Sequence, residues 1–94
     1  MADANESLKP RPFISERLKK ILEKLQKKDR QTINQIEEQI NKILDNPEIG
    51  NPLRYDMKHL RRVHIGSFSL VYKIFGHEIR FLDFDHHDKV YKKY

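Results

Sequence analysis

The stretch RVHIGSFSLVYKI, residues 62–74, decides the fold. Arg62, Val63, His64 and Ile65 alternate polar and apolar, Gly66 and Ser67 supply a turn, and Phe68, Leu70, Tyr72 and Ile74 then alternate with Ser69, Val71 and Lys73. A side-chain period of two on both sides of a short glycine-containing break is the pattern of an antiparallel hairpin. Beyond Gly76 and His77 the segment IRFLDF, residues 79–84, is apolar on both faces near its centre. A strand of that kind belongs inside a sheet packed on other elements. The expected sheet is an antiparallel meander.

Upstream, the period changes to that of helices. After Ser15, a good N-cap, Leu18, Ile21, Leu22 and Leu25 recur at i, i+3, i+4 and i+7. Asp29 is a second N-cap, and Ile33, Ile36, Ile40, Ile43 and Leu44 mark one face of a helix that must end before Pro47. With about two residues between them the helices should fold back antiparallel, their apolar stripes turned to one side. Lys19, Lys20, Lys24, Lys27 and Lys28 lie mostly off the stripe and read first as a solvated face. Residues 1–12, with little to bury and Pro10 and Pro12 bracketing Arg11, are expected to be a mobile or partner-ordered arm, and a strand there is doubtful because prolines break a ladder. The expectation is one α+β domain over residues 13–94: an N-terminal antiparallel helical hairpin packed on an antiparallel meander, with a short C-terminal tail.

Composition narrows the function. Ninety-four residues hold one small domain, and the absence of cysteine excludes disulfides, thiolate metal sites and a cysteine nucleophile. The longest apolar run, Leu70 to Tyr72, is far too short for a membrane span or a signal-peptide core, so a cytoplasmic protein with no membrane contact is expected. Residues 1–30 carry nine basic and five acidic groups, residues 31–53 one and four, and residues 54–94 nine and five. The net charge of +5 favours an acidic partner such as nucleic acid or an acidic protein.

Several chemistries fall away. Gly50, Gly66 and Gly76 are isolated, which leaves no phosphate-cradling loop, and no serine stands in a nucleophile elbow. The dense polar feature is Asp83-Phe84-Asp85-His86-His87-Asp88 at the end of the last strand, with His59, His64 and His77 elsewhere. Adjacent strand residues point to opposite faces, so His86 and His87 could share one ion only if the strand has already ended, and no metal or other cofactor is expected. Metal-free RNA cleavage needs a base for the ribose 2′-OH, a cation for the phosphorane and an acid for the leaving 5′-oxygen. Histidine serves as either acid or base near neutral pH, and arginine holds phosphate in a bidentate grip. Arg62 and His64, two apart on a strand, share a face.

The order of helical hairpin, Asn51-Pro52-Leu53, then R-V-x-I-G-x-F-x-L-V-Y from Arg62 to Tyr72 and H-x-x-V-Y from His87 to Tyr91, resembles the RelE/ParE superfamily of toxins from toxin-antitoxin systems. The resemblance spans roughly residues 13–94. It implies a RelE-like toxin that enters the ribosomal A site and cuts mRNA, held inactive by an antitoxin in a hetero-oligomer. The ParE branch instead targets gyrase. On this resemblance Arg62 and His64 fall where the RelE branch places basic residues, Tyr91 falls on the closing tyrosine, and His87 stands where arginine is usual, with His86 on the preceding histidine. Ser69 stands where the family commonly has arginine, and a neutral hydroxyl cannot stabilise phosphorane charge as a cation does.

The leading expectation is therefore an endoribonuclease, with Arg62, His64, His87 and Tyr91 as catalytic candidates. Arg62 and Lys58 would act as phosphate cations, His64 and His87 as acid and base, and Tyr91 as a 2′-OH or stacking contact. Arg61 is expected to be a solvated charge available to RNA, and Lys89, Lys92 and Lys93 on a flexible tail to bind rRNA. His86 and Ser69 are additional candidates. The alternative is a binding protein without catalysis, either a ParE-like gyrase inhibitor or a degenerate toxin that only binds its antitoxin or the ribosome, and Ser69 is the residue that favours it.

Overall fold

A computed structural model describes residues 9–54 and 59–94. In chain order the elements are β1 (Arg11–Ile14), α1 (Glu16–Lys28), α2 (Arg30–Asp45), a 3₁₀ turn (Pro47–Ile49), β2 (Asn51–Pro52), β3 (Leu60–Ile65), β4 (Phe68–Phe75), β5 (Glu78–His86) and α3 (His87–Lys93). The strands form one sheet in the order β1-β5-β4-β3-β2.

The caps read from the sequence are in place. Ser15 Oγ accepts from Leu18 N at 3.1 Å and donates to Leu82 O at 2.7 Å, so the residue that starts α1 also fastens it to β5. Asp29 ends α1 through its own N–H to Leu25 O at 2.6 Å, and starts α2 by accepting from Thr32 N at 3.1 Å and Thr32 Oγ1 at 2.6 Å. The hydroxyl and then the backbone N–H of Thr32 hold the Asp29 carboxyl below its ordinary range.

The hairpin expected at Gly66 is also present, with Ile65 opposite Phe68 and His64 opposite Ser69. Gly66 has φ 62° and Gly76, in the next turn, φ 59°, a conformation that favours glycine. Between β4 and β5 the register shifts, Val71 facing Asp83 and Tyr72 facing Phe81, so Leu82 is the extra residue of a bulge.

Two expectations are corrected. The sheet is mixed: β2 to β5 pair antiparallel, but β1 pairs parallel with β5, Arg11 opposite Glu78 and Ile14 opposite Phe81. The prolines do not prevent this strand, because Arg11 and Ser15 give their N–H groups to His77 O and Phe81 O while Pro12, of the other parity, sits on the free edge where no donor is required. Residues 1–8 of the expected arm lie outside the described residues, and Arg11 and Pro12 are strand. The second correction is the C-terminal tail, which is the helix α3, with Val90 buried.

The two faces of the sheet are covered unequally. Against α1 and α2, Leu18, Ile36, Ile43, Leu70, Tyr72, Ile79 and Phe81 form the main core. Tyr72 is fully buried, its hydroxyl accepting from Gly50 N at 3.0 Å and donating to Pro47 O at 2.5 Å. Burial pushes its phenol pKa up. A Cβ on Gly50 would stand 2.5 Å from that hydroxyl, so the position needs glycine for space. On the opposite face Leu60, Val71 and Val90 form a smaller cluster with Leu53, Leu82 and Tyr94, which docks α3.

Candidate functional site

On the face that α3 crosses, the strand alternation sets out a row of polar side chains. Leu60, Arg62 and His64 of β3 lie on this face, opposite Lys73, Val71 and Ser69 of β4, and Ser69 and Val71 in turn face Asp85 and Asp83 of β5. Arg62 is half-buried, and its guanidinium makes no hydrogen bond or ion pair with the described residues. His64 is exposed, with Nδ1 3.4 Å from the hydroxyl of Ser69. Ser69 itself is fully buried. No cation stands at that position, where the resemblance implies an arginine.

α3 brings in the second histidine. β5 ends at His86 and the helix begins at His87, so the alternation that would separate them has stopped. Their rings stack with centroids 4.7 Å apart, and His86 also meets the Phe68 ring edge-on at 5.7 Å. The Ser67 carbonyl accepts from His87 N at 3.0 Å and lies 3.0 Å from His87 Nδ1, which fixes the ring over the β3–β4 turn. Its Nε2 is 3.0 Å from Asp88 Oδ1. The His87 and His64 rings lie 6.4 Å apart, centroid to centroid. Tyr91 is four residues on from His87, hence on the same side of α3, and is 77% exposed.

The cations divide. Lys89 and Lys92 are exposed on α3, whereas Lys58 lies outside the described residues. Arg61, expected as a solvated charge, is the reverse: its side chain is 12% exposed and its guanidinium donates to Gly50 O at 2.7 Å and Glu48 O at 3.2 Å, because its position on β3 points it to the helix-covered face. Lys93 is likewise held inside the chain rather than on a free tail, with Nζ 2.8 Å from Asp83 and 2.9 Å from Asp85.

Asp83, which stands in the sequence only as the first residue of the polar run, has a role that the run does not announce. It is fully buried, accepts from Arg17 Nε at 2.9 Å as well as from Lys93, and lies 3.3 Å from the Tyr94 hydroxyl. Burial by itself would raise its pKa, but the hydrogen bonds from Lys93 and Arg17 outweigh it and hold the carboxyl below the usual range. Lys93 also lowers Asp85. The sign in the sequence was an aspartate between Leu82 and Phe84, both of which are largely buried. Asp83 thus ties α1, β5 and the end of α3 together, and so fixes the helix that carries His87 and Tyr91.

An arginine with no partner among the described residues, two nearby imidazoles and an exposed tyrosine can grip a phosphate and move protons beside it. Residues 13–91 match the family described as the ParE toxin of the type II toxin-antitoxin system, parDE. The chain belongs to the RelE/ParE superfamily of type II toxins. It is 40% identical over 79 residues to a protein of Methanocaldococcus jannaschii that bears the toxin name RelE4, covering 81% of this chain and 84% of that one. An uncharacterized protein of Methanosarcina mazei is 40% identical over 72 residues, 73% of this chain and 84% of its own. The solution structure of the conserved hypothetical protein HP0894 from Helicobacter pylori superposes with a TM-score of 0.58 at 23% identity, over 84% of this chain and 96% of that one, and shares the fold. As a toxin of a toxin-antitoxin system, this RelE/ParE-superfamily protein has an antitoxin as its partner. No helix among the described residues is long and apolar enough to cross a membrane.

Proposed function

We propose that this toxin is a ribosome-dependent mRNA endonuclease that works by histidine acid–base chemistry. The observation that carries the reading is the convergence of His64 and His87, ring centroids 6.4 Å apart, beside an arginine with no partner among the described residues. Arg62 takes the scissile phosphate. His64, beside the Ser69 hydroxyl, removes the ribose 2′ proton. His87, whose ring nitrogens lie 3.0 Å from the Ser67 carbonyl and 3.0 Å from Asp88 Oδ1, protonates the leaving 5′-oxygen. Tyr91 offers an exposed ring for a base, and Lys89 and Lys92 take rRNA phosphates. With so shallow a face the ribosome must supply much of the alignment, and an antitoxin laid over the basic face keeps the toxin inactive in a cytoplasmic hetero-oligomer.

Expression of the toxin without its antitoxin, with mRNA 5′ ends mapped on ribosomes, tests this. New 5′ ends that vanish in His87→Ala support it, and growth arrest without mRNA cleavage refutes it. Buried, neutral Ser69 favours a second reading, that of a non-catalytic toxin of ParE type acting on gyrase, and arrest with accumulated DNA breaks would establish that reading instead.

A further inference from the structure

His87 sits between two oxygen acceptors. Nδ1 lies 3.0 Å from the Ser67 carbonyl oxygen and Nε2 lies 3.0 Å from Asp88 Oδ1. Both partners accept, so a neutral ring, with its N–H on the Ser67 carbonyl, leaves the Nε2 lone pair facing a carboxylate. A cation bound by both atoms satisfies the lone pair and the carboxylate together. Two ligands on one zinc-like ion, each at ~2.0–2.1 Å, stand roughly 3 Å or slightly more apart. His87 Nε2 and Asp88 Oδ1 are already at that separation.

The third donor is His86. Its Nδ1 accepts from Asp88 N at 3.4 Å, which fixes the ring beside Asp88 and leaves Nε2 as the nitrogen for an ion, and ligand atoms of His86, His87 and Asp88 all fall within 4.8 Å of one another. These three consecutive residues reach one point because the chain passes there from strand to helix, with His86 as the last extended residue at φ −54°, ψ 141°. A backbone carbonyl behind an imidazole is the outer partner that commonly orients a metal-bound histidine. His64 stands alongside as a further imidazole. Two imidazoles and one carboxylate suit zinc and the later first-row divalent ions, whereas magnesium and calcium take oxygen ligands.

We propose that His86, His87 and Asp88 form a binding site for a divalent metal ion of the zinc class, open on its solvent side. An ion there occupies His87 Nε2 while Nδ1 faces the Ser67 carbonyl, which leaves the ring no nitrogen for proton transfer and so silences cleavage. That consequence rests on the cleavage reading, whereas the binding does not.

The test is calorimetric titration of the untagged full chain with zinc chloride, repeated in excess magnesium chloride. One zinc ion per chain is expected, undisplaced by magnesium. His87→Ala and Asp88→Asn should each weaken binding by ~10-fold or more, and His77→Ala, in the β4–β5 turn, should leave it unchanged. Both altered side chains are at least half exposed, and unchanged thermal melts of the variants check that the fold is intact. Zinc failing to bind the wild type, or binding a His86→Ala/His87→Ala double variant equally well, overturns the site. Zinc that binds at these residues without slowing mRNA cleavage upholds the site and removes His87 from the cleavage reading.

Discussion

On the face of the sheet that α1 and α2 cover, Ile65, Leu70, Tyr72, Ile79, Phe81 and Phe84 pack against Leu18, Ile36 and Ile43. On the opposite face the same strands present Arg62, His64, Ser69, Asp83 and Asp85, and a seven-residue helix crosses them on a cluster of three buried apolar residues, Leu60, Val71 and Val90. The difference separates two duties. The covered face supplies most of the apolar burial that holds so small a domain together, which leaves the other free to hold exposed histidines and an arginine that has no partner among the described residues.

The largest effect that would break this division is on chemistry. His87→Ala and His64→Ala should each slow mRNA cleavage by ~10²- to 10⁴-fold in single-turnover assays on saturated ribosome complexes. Unfolding free energy should change by less than about 0.5 kcal/mol, because both rings are exposed. The converse substitution is Phe81→Ala, which empties a fully buried site between Tyr72 and the helices. It should cost about 3–5 kcal/mol in urea unfolding, while the folded fraction keeps its cleavage rate.

Asp83 is where the two faces are joined, and breaking it should affect both. Asp83→Asn leaves Lys93 and Arg17 facing a neutral amide and should cost about 2–4 kcal/mol. Because α3 then loses its tie, the cleavage rate should fall as well. The pH dependence has a definite sign. The carboxyl is depressed in the folded state, so its contribution is complete above the ordinary carboxylate pKa near ~3.9 and is lost as pH falls through the lower folded value. Urea midpoints from neutral pH down to pH ~2 should therefore drop more steeply in the wild type than in Asp83→Asn.

The covered face was legible because its signals are periodic. Leu18 to Leu25, Ile33 to Leu44 and Phe68 to Ile74 repeat at 3.6 or 2, and Ser15, Asp29 and Gly66 mark their ends. β1 was not legible, because four residues with a proline carry no periodicity and a free edge, which tolerates proline, is known only once the strand order is known. The open face was half legible. Arg62 and His64 follow from alternation, but neighbouring Arg61 differs from Arg62 only in parity, and which parity faces water depends on where the helices lie. Lys93 read as a tail because the partners that hold it, Asp83 and Asp85, lie in the preceding strand and nothing in its own segment announces them.

Tyr72→Phe probes the covered face more gently. Removing the hydroxyl leaves Gly50 N–H and Pro47 C=O without their partner and should cost about 1–2 kcal/mol, with cleavage unaltered in the folded protein.

The smallest effect separates two neighbouring lysines. Lys92 is exposed on α3 with no partner among the described residues, so Lys92→Ala should leave stability unchanged, weaken ribosome binding, and flatten the dependence of log affinity on log salt by roughly 0.7–0.9, the share of one phosphate contact. Lys93, one residue on, is one-third exposed and already bonded to Asp83 and Asp85. Lys93→Ala should leave the salt slope as it is and lower stability by about 1 kcal/mol, a modest figure because water screens the ammonium group while Arg17 keeps its hold on Asp83. Equal salt slopes for the two variants would mean that the ammonium of Lys93 leaves its carboxylates for RNA, and the face that α3 crosses would then rearrange on binding.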